Sequence, residues 1–178
     1  ASDVYKRQPA VQADKADRAV NCGEEIKFVM HRREDCKKLV ELIEKGELPL
    51  RVTHNDTKLN NVLFDSDSDD AICVIDLDTV MPGLALYDFG DSIRFGANSC
   101  AEDDDNYDKV ELMLDYFEAY AKGFLSEAGD ALNQCEIDNL AFSAKLMTFE
   151  CGMRFLTDYL NGDTYFKTAY PCLLYTSP

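Results

Sequence analysis

Four polar side chains share one short loop of this sequence, and a fifth follows after two apolar runs. His54, Asp56, Lys58 and Asn61 occupy the loop, and Asp76 ends the second apolar run. Kinases need an Asp that orients an acceptor hydroxyl group, together with an Asn and a second Asp that hold Mg²⁺. Each residue alone is a weak signal. The ordered spacing of all of them predicts phosphoryl transfer.

Each of these side chains has a predicted role. Asp56 is the candidate catalytic base, because a positioned carboxylate can orient a hydroxyl group and accept its proton late in the reaction. Asn61 and Asp76 offer the oxygen ligands that suit Mg²⁺. Lys58 either neutralises charge on the γ-phosphate or is a solvated surface lysine, and the residues leave both open. We expect His54 to shape the loop.

Further acidic residues compete for the metal. Residues 88–90, Asp-Phe-Gly, spell the metal-binding tripeptide of protein kinases, but no β-branched strand precedes them. Asp76 follows an apolar strand, so we assign the metal to Asp76 and predict that Asp88 and Asp91 are loop or helix-capping residues. Asp78 would share a strand face with Asp76 if the strand continues, which makes it a candidate ligand for a second metal.

A β-hairpin is predicted to position these groups. The apolar runs at residues 62–64 and 72–75 flank an acidic turn, which is typical of two paired strands. Residues 65–69 imitate the start of a calcium loop. They lack glycine at the sixth position and lie between strands, so we predict a hairpin turn instead.

Helices are predicted to surround the hairpin. Apolar spacing indicates a ragged helix over residues 10–33 and clearer ones over 34–45, 107–125 and 136–160, with Gly46 ending the second. Expected buried positions include Val20, Ile26, Phe28, Val29, Leu39, Leu42, Ile43, Val110, Met113, Leu114, Phe117, Tyr120, Ala121, Phe124, Ile137, Leu140, Ala144, Met147 and Cys151.

Residues 101–105 are acidic, which predicts a solvated loop. The predicted fold class is α+β, mostly α, in one domain.

Composition restricts the partners. The net charge of the 178 residues is −16, with 34 acidic against 18 basic side chains, which argues against nucleic acid or an anionic membrane as a partner. No apolar run is long enough to predict a transmembrane helix. The seven cysteines form no Cys-x-x-Cys pair, so we expect reduced thiols and a cytoplasmic location. Cys73 is expected to lie as a small hydrophobe in its strand. The sequence leaves the oligomeric state open.

Three stretches of the sequence resemble one enzyme family. They are THNDTKLNNVLFD at residues 53–65, VIDLDTVMPGLALYDFGDSIRFGAN at 74–98 and CGMRFLTDYLNGDTYFK at 151–167. They resemble the aminoglycoside phosphotransferase and choline kinase family, and within it the N-acetylhexosamine 1-kinases. The resemblance runs from about residue 10 to residue 171.

The resemblance implies a kinase-like C-terminal lobe with a short catalytic-loop hairpin. It also implies ATP and Mg²⁺ as cofactors, and a small-molecule acceptor that is phosphorylated on the anomeric hydroxyl group of N-acetylglucosamine or N-acetylgalactosamine. Arg154 and Tyr165 match an Arg and a Tyr that contact the sugar in these kinases, and Arg and Tyr side chains can bind and stack on a sugar. A helix-end salt bridge and a packed aromatic ring are the alternatives.

Two rival functions remain. One is a kinase of the same fold for an aminoglycoside, choline, homoserine or another sugar. The other is a kinase-like binding protein without activity, although the three residues whose loss would mark it, Asp56, Asn61 and Asp76, are all present.

The two ends of the chain are predicted to be artificial. Residues 3–8 and 172–177 can both be translated from a transposase mosaic-end adapter read in opposite directions, so we read residues 1–8 and 172–178 as adapter-derived. Residues 9–171 then form the C-terminal lobe. Neither a Gly-rich phosphate loop nor a strand-borne Lys precedes the catalytic loop, so we expect the N-terminal lobe to be missing and the isolated chain to be inactive.

Overall fold

The computed structural model describes residues 10–100 and 107–166. Within them lie a helical segment at residues 10–13, six further α-helices, four short strands and several 3₁₀ turns. The helices are α1 (Gly23–His31), α2 (Lys38–Glu44), α3 (Ala85–Gly96), α4 (Leu114–Ala128), α5 (Gln134–Asp138) and α6 (Leu140–Asn161). The strands are β1 (Arg51–Thr53), β2 (Val62–Phe64), β3 (Ala71–Val74) and β4 (Met81–Gly83). The predicted fold class, α+β and mostly α, is confirmed. No described helix is both long and apolar enough to cross a bilayer. The acidic stretch 101–105 and the two predicted adapter segments lie outside the described residues.

The strands form two antiparallel pairs. β2 and β3 make the predicted hairpin, in which Val62 faces Val74, and β1 pairs with β4. In the hairpin turn, the carboxylate of Asp65 accepts the N–H groups of Asp67 and Ser68, so this acidic side chain closes the turn. The prediction of a hairpin turn is confirmed.

The core forms where α3 packs against α6. Phe89, Leu86 and Leu39 are fully buried there, and the ring of Phe89 contacts three aromatic rings of α4 at centroid distances of 5.1–6.1 Å. α2 joins this core through Leu39, and its chain turns at Gly46 with φ +75°, as predicted. The core therefore fixes the orientation of α3, whose first turns face the catalytic loop.

A buried ion pair attaches the first strand to the helical layer. Glu136 is 1% exposed, and both of its carboxylate oxygens accept hydrogen bonds from Arg51 at 2.6 and 2.7 Å. Glu136 also completes a capping box with Asn133 at the start of α5. Burial opposes ionisation of Glu136, but the Arg51 guanidinium outweighs it and holds the pKa of the carboxyl below its usual range.

Two predicted helix boundaries are wrong. The helix expected over 107–125 begins only at Leu114, because the backbone of Glu111 and Met113 pairs with Ser99 and Ala97 and extends the chain there. The helix expected over 136–160 is divided at Asn139, where α5 ends and α6 begins. Before α4, pairing with residues 97–99 overrides the helical periodicity of the sequence. At Asn139, α5 ends as a separate short helix that begins with its own cap at Asn133.

Several predicted burial assignments are also wrong. Val20 is 85% exposed because Ala19–Asn21 is a 3₁₀ turn that precedes α1, and Phe28 is 49% exposed because α1 packs Ile26 and Val29 against the core instead. Cys73 is exposed on the hairpin, whereas Cys151 is buried in α6 as expected. Leu114 is 69% exposed as well. Elsewhere the amphipathic spacing did identify the buried face: Leu39, Leu140 and Ala144 are buried, and Val29, Phe117 and Ala121 pack against the core.

Candidate active site

Asp56 lies in the loop between β1 and a 3₁₀ turn, Leu59–Asn61, that leads into β2. Its Oδ2 accepts a hydrogen bond from Lys58 Nζ at 2.9 Å and one from Asn61 Nδ2 at 2.9 Å. Asn61 is 5% exposed, and its amide also donates to the Asp56 carbonyl at 2.8 Å. The predicted base is thus held by two of the other predicted site residues.

The surroundings of Asp56 keep it ionised. Partial burial alone would raise the pKa of this carboxyl, but hydrogen bonds from Lys58 and Asn61 and the nearby ammonium charge outweigh that effect, so the pKa lies below its ordinary value. A carboxylate that is ionised at neutral pH can accept a hydrogen bond from an acceptor hydroxyl group. It can then take up the proton as the phosphoryl group is transferred.

Asn61 and Asp76 flank the open end of the hairpin, Asn61 just before β2 and Asp76 two residues after β3. The backbone N–H of Ile75 donates to the Asn61 carbonyl at 2.9 Å, which brings the residue before Asp76 against Asn61. Because the amide nitrogen of Asn61 is engaged by Asp56, its Oδ1 is the atom left to face a metal. Asp76 is exposed and adopts a left-handed conformation with φ +64°, which ends the run of β3. An amide oxygen and a carboxylate suit Mg²⁺, which takes its remaining ligands from water and phosphates.

The described part of the chain holds no cluster of three or more His, Cys, Asp or Glu side chains able to bind a metal. A magnesium site that uses Asn61 and Asp76 falls outside such a cluster, because one of its two protein ligands is an amide. The donor set therefore fits the ion, and the assignment of these two ligands stays a prediction.

Asp78 and Asp76 do not share a strand face, contrary to the prediction. β3 ends at Val74, before Asp76, and Leu77–Thr79 is a 3₁₀ turn. Asp78 is exposed on that turn. Its role as a further metal ligand stays a prediction without that support.

His54 joins the two sides of the site through its ring. Its Nε2 lies 3.0 Å from the Ile75 carbonyl, and its Nδ1 accepts the backbone N–H of Asp56 at 3.3 Å. These partners assign the neutral tautomer that carries its hydrogen on Nε2. The contacts are those expected of a residue that shapes the loop.

Asp88 is a site residue whose role the sequence interpretation missed. It lies within α3, not in a loop or at a helix cap, and its two carboxylate oxygens accept the N–H groups of His54 and Asn55 at 2.8 Å each. Thr57 Oγ1 donates to the Asp88 carbonyl at 2.7 Å, and Ser92 Oγ, one turn later, donates to the Thr57 carbonyl at 3.0 Å. α3 therefore fastens the catalytic loop on both sides of Asp56.

A signal for this role was present in the sequence. Asp88 and Ser92 are four residues apart, so a helix places both on one face. The partner of that face is set by the packing of α3, which no local pattern specifies. Asp91, the other alternative metal ligand, also lies in α3 and forms an ion pair with Arg94 at 2.9 Å.

Arg154 and Tyr165, the predicted sugar contacts, both contact one aromatic ring. The guanidinium carbon of Arg154 is 5.6 Å from the centre of the Phe166 ring, and the Tyr165 ring lies edge-on to Phe166 at 4.9 Å. Tyr165 is 71% exposed. The structure thus brings the two predicted residues into one cluster at the end of α6. Contact of that cluster with a sugar held by Asp56 stays a prediction.

A family model described as "Phosphotransferase enzyme family" matches residues 2–124. The match covers more than half of the 178 residues. It includes Asp56, Lys58, Asn61 and Asp76, and it ends before Arg154 and Tyr165.

Proposed function

The chain belongs to the phosphotransferase enzyme family, and from this membership we propose that it is the C-terminal lobe of an ATP- and Mg²⁺-dependent kinase for N-acetylhexosamines. The observation that supports the proposal is the hydrogen bond between Asn61 and the candidate base Asp56. A second hydrogen bond joins the backbone of Asn61 to that of Ile75, the residue before Asp76. The expected product is the sugar 1-phosphate.

The proposed reaction gives each residue one task. The anomeric oxygen of the sugar forms a bond to the γ-phosphorus, the bond from that phosphorus to the β-phosphate oxygen breaks, and the hydroxyl proton passes to Asp56. Asn61 and Asp76 would hold Mg²⁺, which supplies charge neutralisation on the phosphates when it is bound. In this structure Lys58 donates a hydrogen bond to Asp56. Its proposed contact with the γ-phosphate requires its flexible side chain to turn toward the nucleotide.

The proposed acceptor rests on the cluster at the end of α6. Arg154 can donate two parallel hydrogen bonds to hydroxyl or carbonyl oxygens, and Tyr165 offers an exposed ring and a hydroxyl group to a sugar. Both residues match the stretch in which the sequence resembles N-acetylhexosamine 1-kinases. Because the family match ends before this stretch, the acceptor is a finer proposal than the phosphotransferase reaction.

The proposal that a further lobe completes the enzyme is supported by apolar side chains around the loop. Large hydrophobic residues of the two small sheets and the adjoining turns are between 41% and 83% exposed: Val52, Leu63, Phe64, Ile72, Val74, Leu77, Val80 and Met81. Large apolar side chains exposed in this number are typical of an interaction site. We propose that the N-terminal lobe and the adenine of ATP cover it, and we expect the isolated chain to have little or no kinase activity.

A cytoplasmic location is also proposed. The six cysteines within the described residues are free thiols, which supports a reducing compartment.

The test uses the complete gene product with its N-terminal lobe. ADP release would be followed with ATP, Mg²⁺ and a panel of N-acetylhexosamines, choline and aminoglycosides. Asp56→Asn should lower kcat by at least about 100-fold. The matched control is Asp138→Asn, the same change at an exposed residue that bonds Gln134 on α5, and it should leave kcat unchanged.

The outcomes separate the parts of the proposal. Turnover of N-acetylhexosamines that Asp56→Asn abolishes would support the acceptor and the base together. Turnover of only choline, an aminoglycoside or another acceptor would keep the phosphotransferase and reject the sugar. A folded protein without any turnover would favour a non-catalytic binding protein.

A further inference from the structure

Asp158 is a buried carboxylate close to the end of α6. It is 7% exposed, and the helix ends four residues later at Gly162, whose φ of +95° turns the chain back over the last turn. An ionised carboxylate in such a place is costly unless several donors satisfy it.

The returning chain supplies those donors. Oδ1 of Asp158 accepts the N–H of Thr164 at 3.0 Å, the Thr164 hydroxyl at 3.2 Å and the N–H of Tyr165 at 2.8 Å. Oδ2 accepts the N–H of Phe166 at 2.8 Å. One side chain therefore binds three consecutive backbone amides, and charge-assisted bonds of this kind are the stronger ones.

These hydrogen bonds hold the backbone of residues 164–166 and leave the side chain of Tyr165 in solvent. Phe166 packs edge-on against Phe155 at 4.7 Å, so the turn is attached to α6 through a ring as well. Tyr165 remains 71% exposed although its N–H is bonded to a buried carboxylate. Arg154 lies one helical turn before Asp158, on the same side of α6, and both Arg154 and Tyr165 contact the Phe166 ring. An exposed ring on a fixed backbone suits stacking against the flat face of a ligand.

We propose that Asp158 is a positioning residue that holds Tyr165, and through Phe166 the Arg154 guanidinium, in place for a sugar acceptor. The ligand class rests on the proposed function, whereas the positioning of Tyr165 rests on the four hydrogen bonds alone. Asp158 contacts no reacting atom in this assignment. Its effect is on the affinity for the acceptor.

A second attachment of the same turn provides the matched control. Asp163 forms an ion pair with Arg18, and both side chains are about one-third exposed, at 30% and 31%. Asp163→Asn is the same chemical change five residues away in the chain. It removes a partly solvated ion pair, which contributes little, and leaves the three amides on Asp158.

The chain has no tryptophan, so Tyr165→Trp creates a single tryptophan. Its anisotropy, excited at a wavelength that tyrosine does not absorb, reports the motion of this turn. In that background, Asp158→Asn should lower the anisotropy, because an amide offers one acceptor oxygen where the carboxylate offers two. Asp163→Asn should not lower it. In chains that keep Tyr165, saturation-transfer NMR should show binding of N-acetylglucosamine that Asp158→Asn weakens by about tenfold and Asp163→Asn leaves within about twofold.

The results separate this inference from the proposed function. An anisotropy unchanged in Asp158→Asn would overturn the positioning role. A mobile turn with unchanged affinity for N-acetylglucosamine would overturn its link to the acceptor. If the unsubstituted chain binds no N-acetylhexosamine, the acceptor proposal fails and the anisotropy still decides whether Asp158 holds the turn. If Asp158→Asn does not fold, Asp158→Glu, which shifts the carboxylate by one methylene group, should release Tyr165 in the same assay.

Discussion

At the scale of single residues, acidic side chains of the same type have different tasks because their partners differ. Asp56 faces an ammonium and an amide, Asp88 and Asp158 face backbone amides, and Asp65 closes a turn. Among these four, Asp56 alone combines a partly open position with hydrogen-bond donors that are all side chains. That combination is what distinguishes a candidate base from a carboxylate that holds the backbone.

Replacing Lys58 by Met should raise the pKa of Asp56. The hydrogen bond and charge of Lys58 lower this pKa, while burial opposes them and remains after the substitution. A depressed pKa contributes stability above the unfolded-state value, and that contribution is lost as the pH falls through the folded-state pKa. In Lys58→Met, the loss should be complete at a higher pH and be smaller in total. Titration of the Asp56 carboxyl carbon by NMR measures the pKa.

The control for this prediction is Lys27→Met, which removes an exposed lysine that pairs with Glu24 on α1. The titration of Asp56 should not change in it. An Asp56 pKa that stays constant in Lys58→Met would show that the ion pair is not maintained in solution.

At the scale of elements, α3 connects the site to the core. Its first turns hold the catalytic loop through Asp88 and Ser92, and the same helix packs on α6 where Gly90 meets the backbone of Ser143. A Cβ at position 90 would lie 2.5 Å from the Ser143 carbonyl oxygen and 2.7 Å from Met147 Cγ. The close approach of the two helices therefore depends on this glycine.

Gly90→Ala should destabilise the protein by about 1–3 kcal/mol, because α3 and α6 must move apart to admit a methyl group against backbone atoms. Unfolding in urea, followed by circular dichroism, measures the change. Gly123→Ala is the control, since it lies inside α4 with no atom within 4 Å of the added Cβ. It should stabilise the protein by up to about 1 kcal/mol through helix propensity. An equal effect of both substitutions would contradict the tight contact.

At the scale of the whole molecule, apolar exposure is concentrated on the two small sheets. Ile72 is 64% exposed and Val74 is 51% exposed on β3, and the neighbouring strands and turns add further large apolar side chains. A net charge of −16 keeps the rest of the surface well hydrated. These exposed apolar side chains lie on the two sheets whose strands adjoin Asp56, Asn61 and Asp76.

Ile72→Lys should reduce the binding of the apolar dye ANS to this surface. Its effect on the free energy of unfolding should stay within about 0.5 kcal/mol, because the side chain is already mostly in solvent. Val20→Lys is the matched control: Val20 is 85% exposed on a 3₁₀ turn away from the sheets, and ANS binding should not change. Equal dye binding in both variants would mean that the apolar side chains of the sheets do not form one surface.

Much of the local structure could be predicted from the sequence. The hairpin follows from two apolar runs around an acidic turn, the end of α2 follows from Gly46, and the loop that carries Asp56 and Asn61 follows from its spacing. These features depend on residues that are close in sequence, so a local sequence pattern is enough to predict them. The start of α4 could not be predicted in this way, because hydrogen bonds to residues 97–99 extend the chain before it. Nor could the exposure of Val20, which lies in a 3₁₀ turn before α1.

The sequence by itself determined which chemical groups the protein has and the order in which they occur. The tertiary structure decided which of them face each other: Asp88 bonds the catalytic loop from a helix more than 30 residues later, and Asp158 binds the turn that carries Tyr165. The physical reason is that a carboxylate binds whichever donors the folded chain brings within hydrogen-bonding distance. Those donors are set by helix packing, which depends on residues far away in sequence.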